Sequence, residues 1–322
     1  MMKAITRPVY GPPESLSFAD VAIPELGDTE ILLKVHASSV NPYDWHLLRG
    51  EPYLLRISAG YRRPTNQNMG IDAAGTVVAV GANVTRFRIG DPVFGIARGA
   101  FAEYAVADEK RLAAKPDALS FESAASLPCA GNTALLAVRD KGQVSSGMSV
   151  LVNGASGGVG SFAVQIAASL GAEVTGVCST RNVELVKSIG ATDVIDYSRD
   201  DFTQQSRRFD VVIDTIGNRS LGDLRRALTP RGTLVIAGGG SGKWFRPIAL
   251  LLKAIVVAPF VRQQIRGFMA IVTTENLETL STLATSGDVV PLIDRTYSLS
   301  DAPRALGYVE EGHARGKVII TV

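Results

Sequence analysis

Gly154-Ala-Ser-Gly-Gly-Val-Gly160 holds four glycines in seven residues and is the run whose composition most directly implies chemistry. A backbone without Cβ atoms lets a ligand approach closely, and free N–H groups at the start of a following helix favour an anion. The apolar run 150–153 before the turn predicts a strand, and residues 159–170 after it predict an amphipathic helix. Strand, glycine turn and helix in this order make a cradle for the pyrophosphate of a dinucleotide. The spacing G-x-x-G-G-x-G departs from the strict G-x-G-x-x-G pattern, so the flanking elements carry the reading.

Residues 172–178 are rich in β-branched types and predict a second strand. About twenty residues beyond such a turn, a carboxylate commonly holds the adenosine ribose 2′-hydroxyl. Here Cys178-Ser-Thr-Arg-Asn182 offers hydroxyls and a guanidinium instead. That set suits a 2′-phosphate, so the residues favour NADPH over NADH. In the alternative reading, Ser179 caps a helix over 181–189 and Arg181 is a solvated residue of its first turn. Further βα units follow: helix 183–189, strand 193–197 ending in Tyr197, strand 209–214, helix 221–228 and strand 232–237 running into Gly238 and Gly239. Continuous Val/Ile-rich runs predict parallel strands covered on both faces.

Before residue 120 the pattern is different. Residues 30–40, 71–81, 91–97 and 101–107 are short β-rich runs between Gly, Pro and Asn turns, which predicts a compact β-barrel-like domain. The change to alternating βα comes at residues 116–121. After the second region, a helix over 275–287, strands at 290–297 and 317–322 and a helix over 301–311 return to the first domain. The predicted fold class is α/β, with one domain at 1–120 and 275–322 and another at 121–274.

At 322 residues, 46% hydrophobic and 20% charged, the chain is long enough for two cores. A formal charge of +2 is too small to imply nucleic-acid or membrane attraction, and no basic run stands out. Two cysteines, Cys129 and Cys178, both in apolar surroundings, exclude a disulfide framework and suit a reducing compartment. The first residues lack the apolar core of a signal peptide, so the expected location is cytoplasmic. Residues 247–261 are the most hydrophobic stretch, but they contain Lys253 and are shorter than the ~20 residues of a membrane span. They read as a short helix and a strand at 254–258. At a sheet edge, that strand predicts pairing with a second copy as a homodimer.

Tyr10-Gly-Pro-Pro13, Ser39-Val-Asn-Pro-Tyr-Asp44, Gly70-Ile-Asp-Ala-Ala-Gly75, Val80-Gly81, Gly90-Asp-Pro-Val-Phe-Gly95, the glycine turn and Gly312-His-Ala-Arg-Gly-Lys-Val318 occur in that order. With these motifs the chain resembles the medium-chain dehydrogenase/reductase superfamily over essentially its whole length. The likeness is to the zinc-independent quinone oxidoreductase branch, including zeta-crystallin-like and reticulon-4-interacting-protein-like members. The resemblance implies a GroES-like β-barrel domain plus a Rossmann domain with a doubly wound parallel sheet, and an active site in the cleft between them. It implies that Ala155, Ser156, Gly157, Gly158 and Val159 approach the pyrophosphate. Ser179, Arg181 and Tyr197 would flank the 2′-phosphate, Thr133, Gly238 and Gly239 the nicotinamide, and His313 and Arg315 would make a C-terminal cofactor contact. The implied catalytic residues are Asn41, donating to the acceptor oxygen, Asp44, fixing its loop, and Tyr53. Tyr43 and His46 are further pocket candidates, and for them and Tyr53 a structural role stays equally open. His36 reads as a strand residue with no chemical role.

In the zinc-dependent relatives the catalytic ligands are a Cys, a His often followed by Glu, and a second Cys. Here the first position is Asn41, the second Ile71 followed by Asp72, and Cys129 remains four residues before Thr133. No three-ligand zinc site is expected from that set. Without a Lewis acid, the developing alkoxide of an alcohol lacks support, whereas a quinone or an α,β-unsaturated carbonyl delocalises the charge of an added hydride. The expected activity is therefore NADPH-dependent reduction of a quinone or enone. Metal-free alcohol or aldehyde oxidoreduction, and a low-turnover NADPH-binding partner protein, are the competing readings.

Overall fold

A computed structural model describes residues 1–238 and 260–322, with Lys253, Val256 and Val257. The chain divides into two compact units. Met1–Asn132, Ile271–Gly287 and Ile293–Val322 form the first, and Thr133–Ala270 with Asp288–Leu292 the second. The division falls after Asn132 rather than at residues 116–121, because the helix Phe121–Ser126 packs on strands of the first unit.

The first unit contains β1 (Met2–Thr6), β2 (Ser17–Val21), β3 (Glu30–Val40), β4 (Asp72–Val80), β5 (Pro92–Ile96), β6 (Tyr104–Asp108), β7 (Leu112–Ala114), β14 (Ile293–Ser298) and β15 (Lys317–Thr321). Its main sheet runs β14-β15-β3-β4-β5-β7, with β6 also on β3, and β1 and β2 form a separate antiparallel pair. Alternation in β3 turns Ile31, Leu33 and Val35 into a core shared with Val77, Val93 and Leu112. The antiparallel register sets Ser39 opposite Asp72 and Val40 opposite Val318. The end of β3 therefore meets the starts of β4 and β15 at one end of the central strands.

In the second unit, β8 (Ser149–Asn153), β9 (Glu173–Cys178), β10 (Asp193–Asp196), β11 (Phe209–Asp214), β12 (Leu228–Ile236) and β13 (Gln264–Gly267) run in the order β10-β9-β8-β11-β12-β13. All these neighbours are parallel. From β8 the chain winds outward to β9 and β10, then returns to β11 on the other side. That reversal is a topological switch point, beside which open α/β sheets bind their ligands.

Three local readings differ from the sequence expectation. The helix Gly158–Ser169 is buried from Gly160 to Ala167 and is enclosed rather than amphipathic. The helix expected over 221–228 ends at Arg226, since Leu228 already pairs with Phe209 at the start of β12. Of the expected strand at 254–258, residues 254, 255 and 258 lie outside the described residues, and Val256 and Val257 are helical. Among the described residues, β13 is the strand at that sheet edge. Among the described residues, no helix is long and apolar enough to cross a membrane.

Candidate functional site

In the first unit, the Asn-Pro-Tyr-Asp motif opens the helix Pro42–Arg49. Asn41 is the N-cap, Pro42 takes the first helical position, and Asp44 reaches back to accept from the Asn41 backbone N–H at 2.8 Å. Asp44 thus ties the Asn41 backbone to the first turn of the helix. Its carboxyl is fully buried and its second oxygen has no partner among the described residues. Burial pushes its pKa up to about 7, against the opposing hydrogen bond from Asn41.

Asn41 does not fit the expected role of donor to a substrate oxygen. It is 1% exposed, and its amide nitrogen already donates to Asp72 Oδ2 at 2.9 Å and Ser39 O at 3.2 Å. Its Oδ1 accepts from Lys317 Nζ at 2.6 Å. Ser39 Oγ also donates to Asp72 Oδ2, at 2.6 Å, and Lys317 Nζ to Val40 O at 3.3 Å. Asn41 is therefore the bridge in a buried network of Lys317, Asp72, Ser39 and Asp44. Burial raises the Asp72 carboxyl pKa, and the Lys317 charge opposes that rise. Cys129 faces this network rather than apolar surroundings. Desolvation, reinforced by the Asp72 charge, pushes its thiol up to about 12.

These residues do not fit a catalytic zinc. Ile71 has no ligating atom and the Asn41 oxygen is engaged by an ammonium, which leaves Cys129 alone of the three ligand positions. Among the described residues, no group of three His, Cys, Asp or Glu is placed to hold a metal ion.

Tyr53 belongs to another cluster of the same unit. The Arg56 guanidinium lies 4.7 Å from the Tyr53 ring centre and 4.4 Å from that of Tyr10, and donates to Gly50 O and Arg49 O. Tyr43 is 46% exposed, and desolvation with the nearby Asp44 raises its phenol pKa. His46 stacks on Trp45 and bonds Glu51 O through Nδ1. His36 bonds Thr76 in the sheet. His313 and Arg315 are exposed in the turn beyond Gly312, where the Arg315 N–H donates to Asp294.

In the second unit, the C-terminal ends of β8, β9, β10 and β11 lie side by side, with Asn153 opposite Val177 and Asp214, and Cys178 opposite Asp196. Gly154 takes φ +88°, and a Cβ on Gly160 would fall 2.0 Å from Gly154 O. Only glycine permits so tight a turn over the helix start. The N–H groups of Gly154 and Ala155 both donate to Val177 O, and that of Gly157 to Gly154 O. The backbone N–H groups of Ala155 and Gly157 are thus engaged within the turn itself. The first helical hydrogen bond runs from Ser161 N–H to Gly157 O at 2.9 Å. Gly158, Val159 and Gly160 therefore carry the N–H groups without an intrahelical acceptor, and this end of the helix fits a pyrophosphate.

Ser179, half-buried, follows β9, with exposed Arg181 beyond it and Tyr197 54% exposed after β10. Ser179 heads the 3₁₀ turn Thr180–Asn182 without a side-chain capping bond. A carboxylate is present here after all. Asp196 ends β10, takes the Thr180 hydroxyl at 2.5 Å, and lies 3.6 Å from Arg199. Sequence spacing missed it because strand pairing, not chain distance, sets it beside Cys178. Gly238 is glycine because a Cβ would fall 2.0 Å from Thr215 O, so its close approach is to its own sheet. Gly239 lies outside the described residues. Thr133 is buried in the helix Asn132–Leu135.

Residues 27–117 match the family model of the alcohol dehydrogenase GroES-like domain, and residues 189–320 that of zinc-binding dehydrogenases. The 2-methylene-furan-3-one reductase of Solanum lycopersicum is 34% identical, over 99% of this chain and 79% of its own length. The quinone oxidoreductase of Coxiella burnetii has a similar structure, with TM-score 0.87 and 33% identity, covering 100% of this chain and 99% of that one. A mycobacterial protein complexed with NADPH is 28% identical with TM-score 0.86, covering 100% of both chains.

Proposed function

The chain belongs to the medium-chain dehydrogenase/reductase superfamily, and from that membership we propose that it is an NADPH-dependent reductase of quinones or α,β-unsaturated carbonyls that works without zinc. The observation that supports the reading is a fitted phosphate cradle together with the lack, among the described residues, of three side chains placed to hold a metal ion. The N–H groups of Gly158 and Val159 hold the pyrophosphate, and Ser179, Arg181 and Tyr197 take the 2′-phosphate. Thr133, Gly238, Gly239, His313 and Arg315 are the remaining cofactor contacts of the reading. Reduced nicotinamide supplies a hydride, and a quinone or enone accepts it by delocalising the charge. In the first unit, Asn41, Asp44, Asp72 and Lys317 order the wall of the substrate site, and Tyr53 is the polar side chain proposed to contact the acceptor. The half-exposed switch-point loops and the resemblance to an enone reductase and a quinone oxidoreductase support this assignment.

The reading includes a homodimer in the cytoplasm. It is supported by the β13 sheet edge and by two cysteines that are both free.

The test is an acceptor screen with NADPH and NADH side by side, in the presence of a chelator. Oxidation of NADPH by 9,10-phenanthrenequinone or a simple enone, unaffected by the chelator, is the expected outcome. Tight NADPH binding with no turnover across the panel would favour a cofactor-binding partner protein, and activity that depends on an added metal would overturn the zinc-free reading.

A further inference from the structure

Asn182 is 4% exposed and stands where the turn after β9 enters the helix Val183–Ser188. Its position at the head of that helix suggests a cap, but its side chain makes no capping hydrogen bond. Instead its amide nitrogen donates to Ser156 Oγ at 2.9 Å and to Ser179 Oγ at 3.3 Å. Ser156 sits in the glycine turn after β8 and Ser179 at the end of β9, so one side chain ties the two loops together. The remaining amide oxygen is buried with no partner among the described residues. The side chain is therefore held through its two donors, at the cost of an unsatisfied acceptor.

That polarity has a chemical consequence. A hydroxyl has one hydrogen to give and two lone pairs to receive with. When Ser156 and Ser179 each receive from Asn182, their own hydrogens remain available to another acceptor. Both residues are half-buried, and among the described residues neither hydroxyl donates to a protein group. The neighbouring Thr180 hydroxyl, by contrast, is already directed to Asp196.

We propose that Asn182 is a positioning residue for the phosphorylated dinucleotide, its single carboxamide setting Ser156 and Ser179 as paired hydrogen-bond donors to phosphate. The inference rests on the proposed cofactor and adds a coupling to it: the pyrophosphate loop and the 2′-phosphate end share one determinant.

The experiment is calorimetric titration of the full chain with 2′,5′-ADP, NADPH and NADH. Asn182→Asp keeps the shape of the side chain but turns it into an acceptor, which draws both hydroxyl hydrogens inward and adds negative charge. It should weaken 2′,5′-ADP and NADPH by about tenfold or more, and NADH by a smaller factor. In Asn182→Leu, adding Ser179→Ala should have little further effect, although Ser179→Ala alone weakens NADPH. Unchanged affinity in Asn182→Asp, or additive losses in the double variant, would overturn the inference while leaving the cofactor reading intact. If the Asn182 variants do not fold, Ser156→Ala and Ser179→Ala carry the test, and undiminished 2′,5′-ADP binding in both would overturn it. Failure of the wild-type protein to bind either nucleotide would remove the cofactor reading and this inference together.

Discussion

Lys317 and Asp72 lie 3.8 Å apart, with their side chains 3% and 0% exposed, and the Asn41 amide bonds both. A charge pair withdrawn from water holds only when further hydrogen bonds complete it, as Ser39, Asn41 and the Val40 carbonyl do here. Lys317→Met should cost about 3–5 kcal/mol, because it leaves a buried carboxylate unpaired. Adding Asp72→Asn should restore much of that loss. Urea denaturation of the three proteins checks this, and a double variant less stable than Lys317→Met would contradict it.

Asp44 gives the fold a pH dependence of defined sign. Its folded pKa of about 7 lies above the usual 3.8, so the folded state keeps a proton that the unfolded chain releases. Its contribution to stability is full below about pH 4 and is lost as the pH rises through about 7. Asp44→Asn, whose carbonyl can still accept from the Asn41 N–H, should flatten that decline. At pH 8 it should stabilise the protein by on the order of 2–4 kcal/mol relative to its effect at pH 4. Melting curves across that range would show parallel slopes for both proteins if the carboxyl were ordinary.

Gly160→Ala would drive a methyl group into the Gly154 carbonyl. The variant should lose about 1–3 kcal/mol of stability from overpacking. Because the turn must open, NADPH affinity should fall at least about tenfold by calorimetry. Gly147→Ala is the control, since φ +79° strains the backbone there but no atom lies within 4 Å of the added Cβ. It should lose stability without losing nucleotide affinity.

Arg56→Ala removes a guanidinium held between Tyr10 and Tyr53, with two bonds to backbone carbonyls. A loss of about 1–2 kcal/mol is expected. Limited proteolysis should then cut faster within residues 50–61, and an unchanged cleavage pattern would show that the stack does not order the segment.

The long strands and the glycine turn were legible because their signals are local. Hydrophobic continuity marks β8, β9 and β11, and the turn chemistry lies within seven residues. β1, β2, β7 and β13 carry no such continuous Val/Ile-rich run, and β1 and β2 take their place by pairing with each other. The helix Pro42–Arg49 has a readable start in the cap Asn41, the first-turn Pro42 and the back-bonding Asp44. Lys317 lies in the motif Gly312–Val318, but nothing local to it points to Asn41. It reaches Asn41 across 276 residues, through the register of β15 on β3, and only strand pairing shows that Asn41 has no free donor.

The enclosed helix Gly158–Ser169 limits where nucleotide preference can change. With neighbours on every side from Gly160 to Ala167, it offers no surface that tolerates a new side chain. The tips of β9 and β10 are open by comparison, with Arg181 and Tyr197 in solvent. Descent or engineering toward another dinucleotide would leave the helix alone and rewrite those tips.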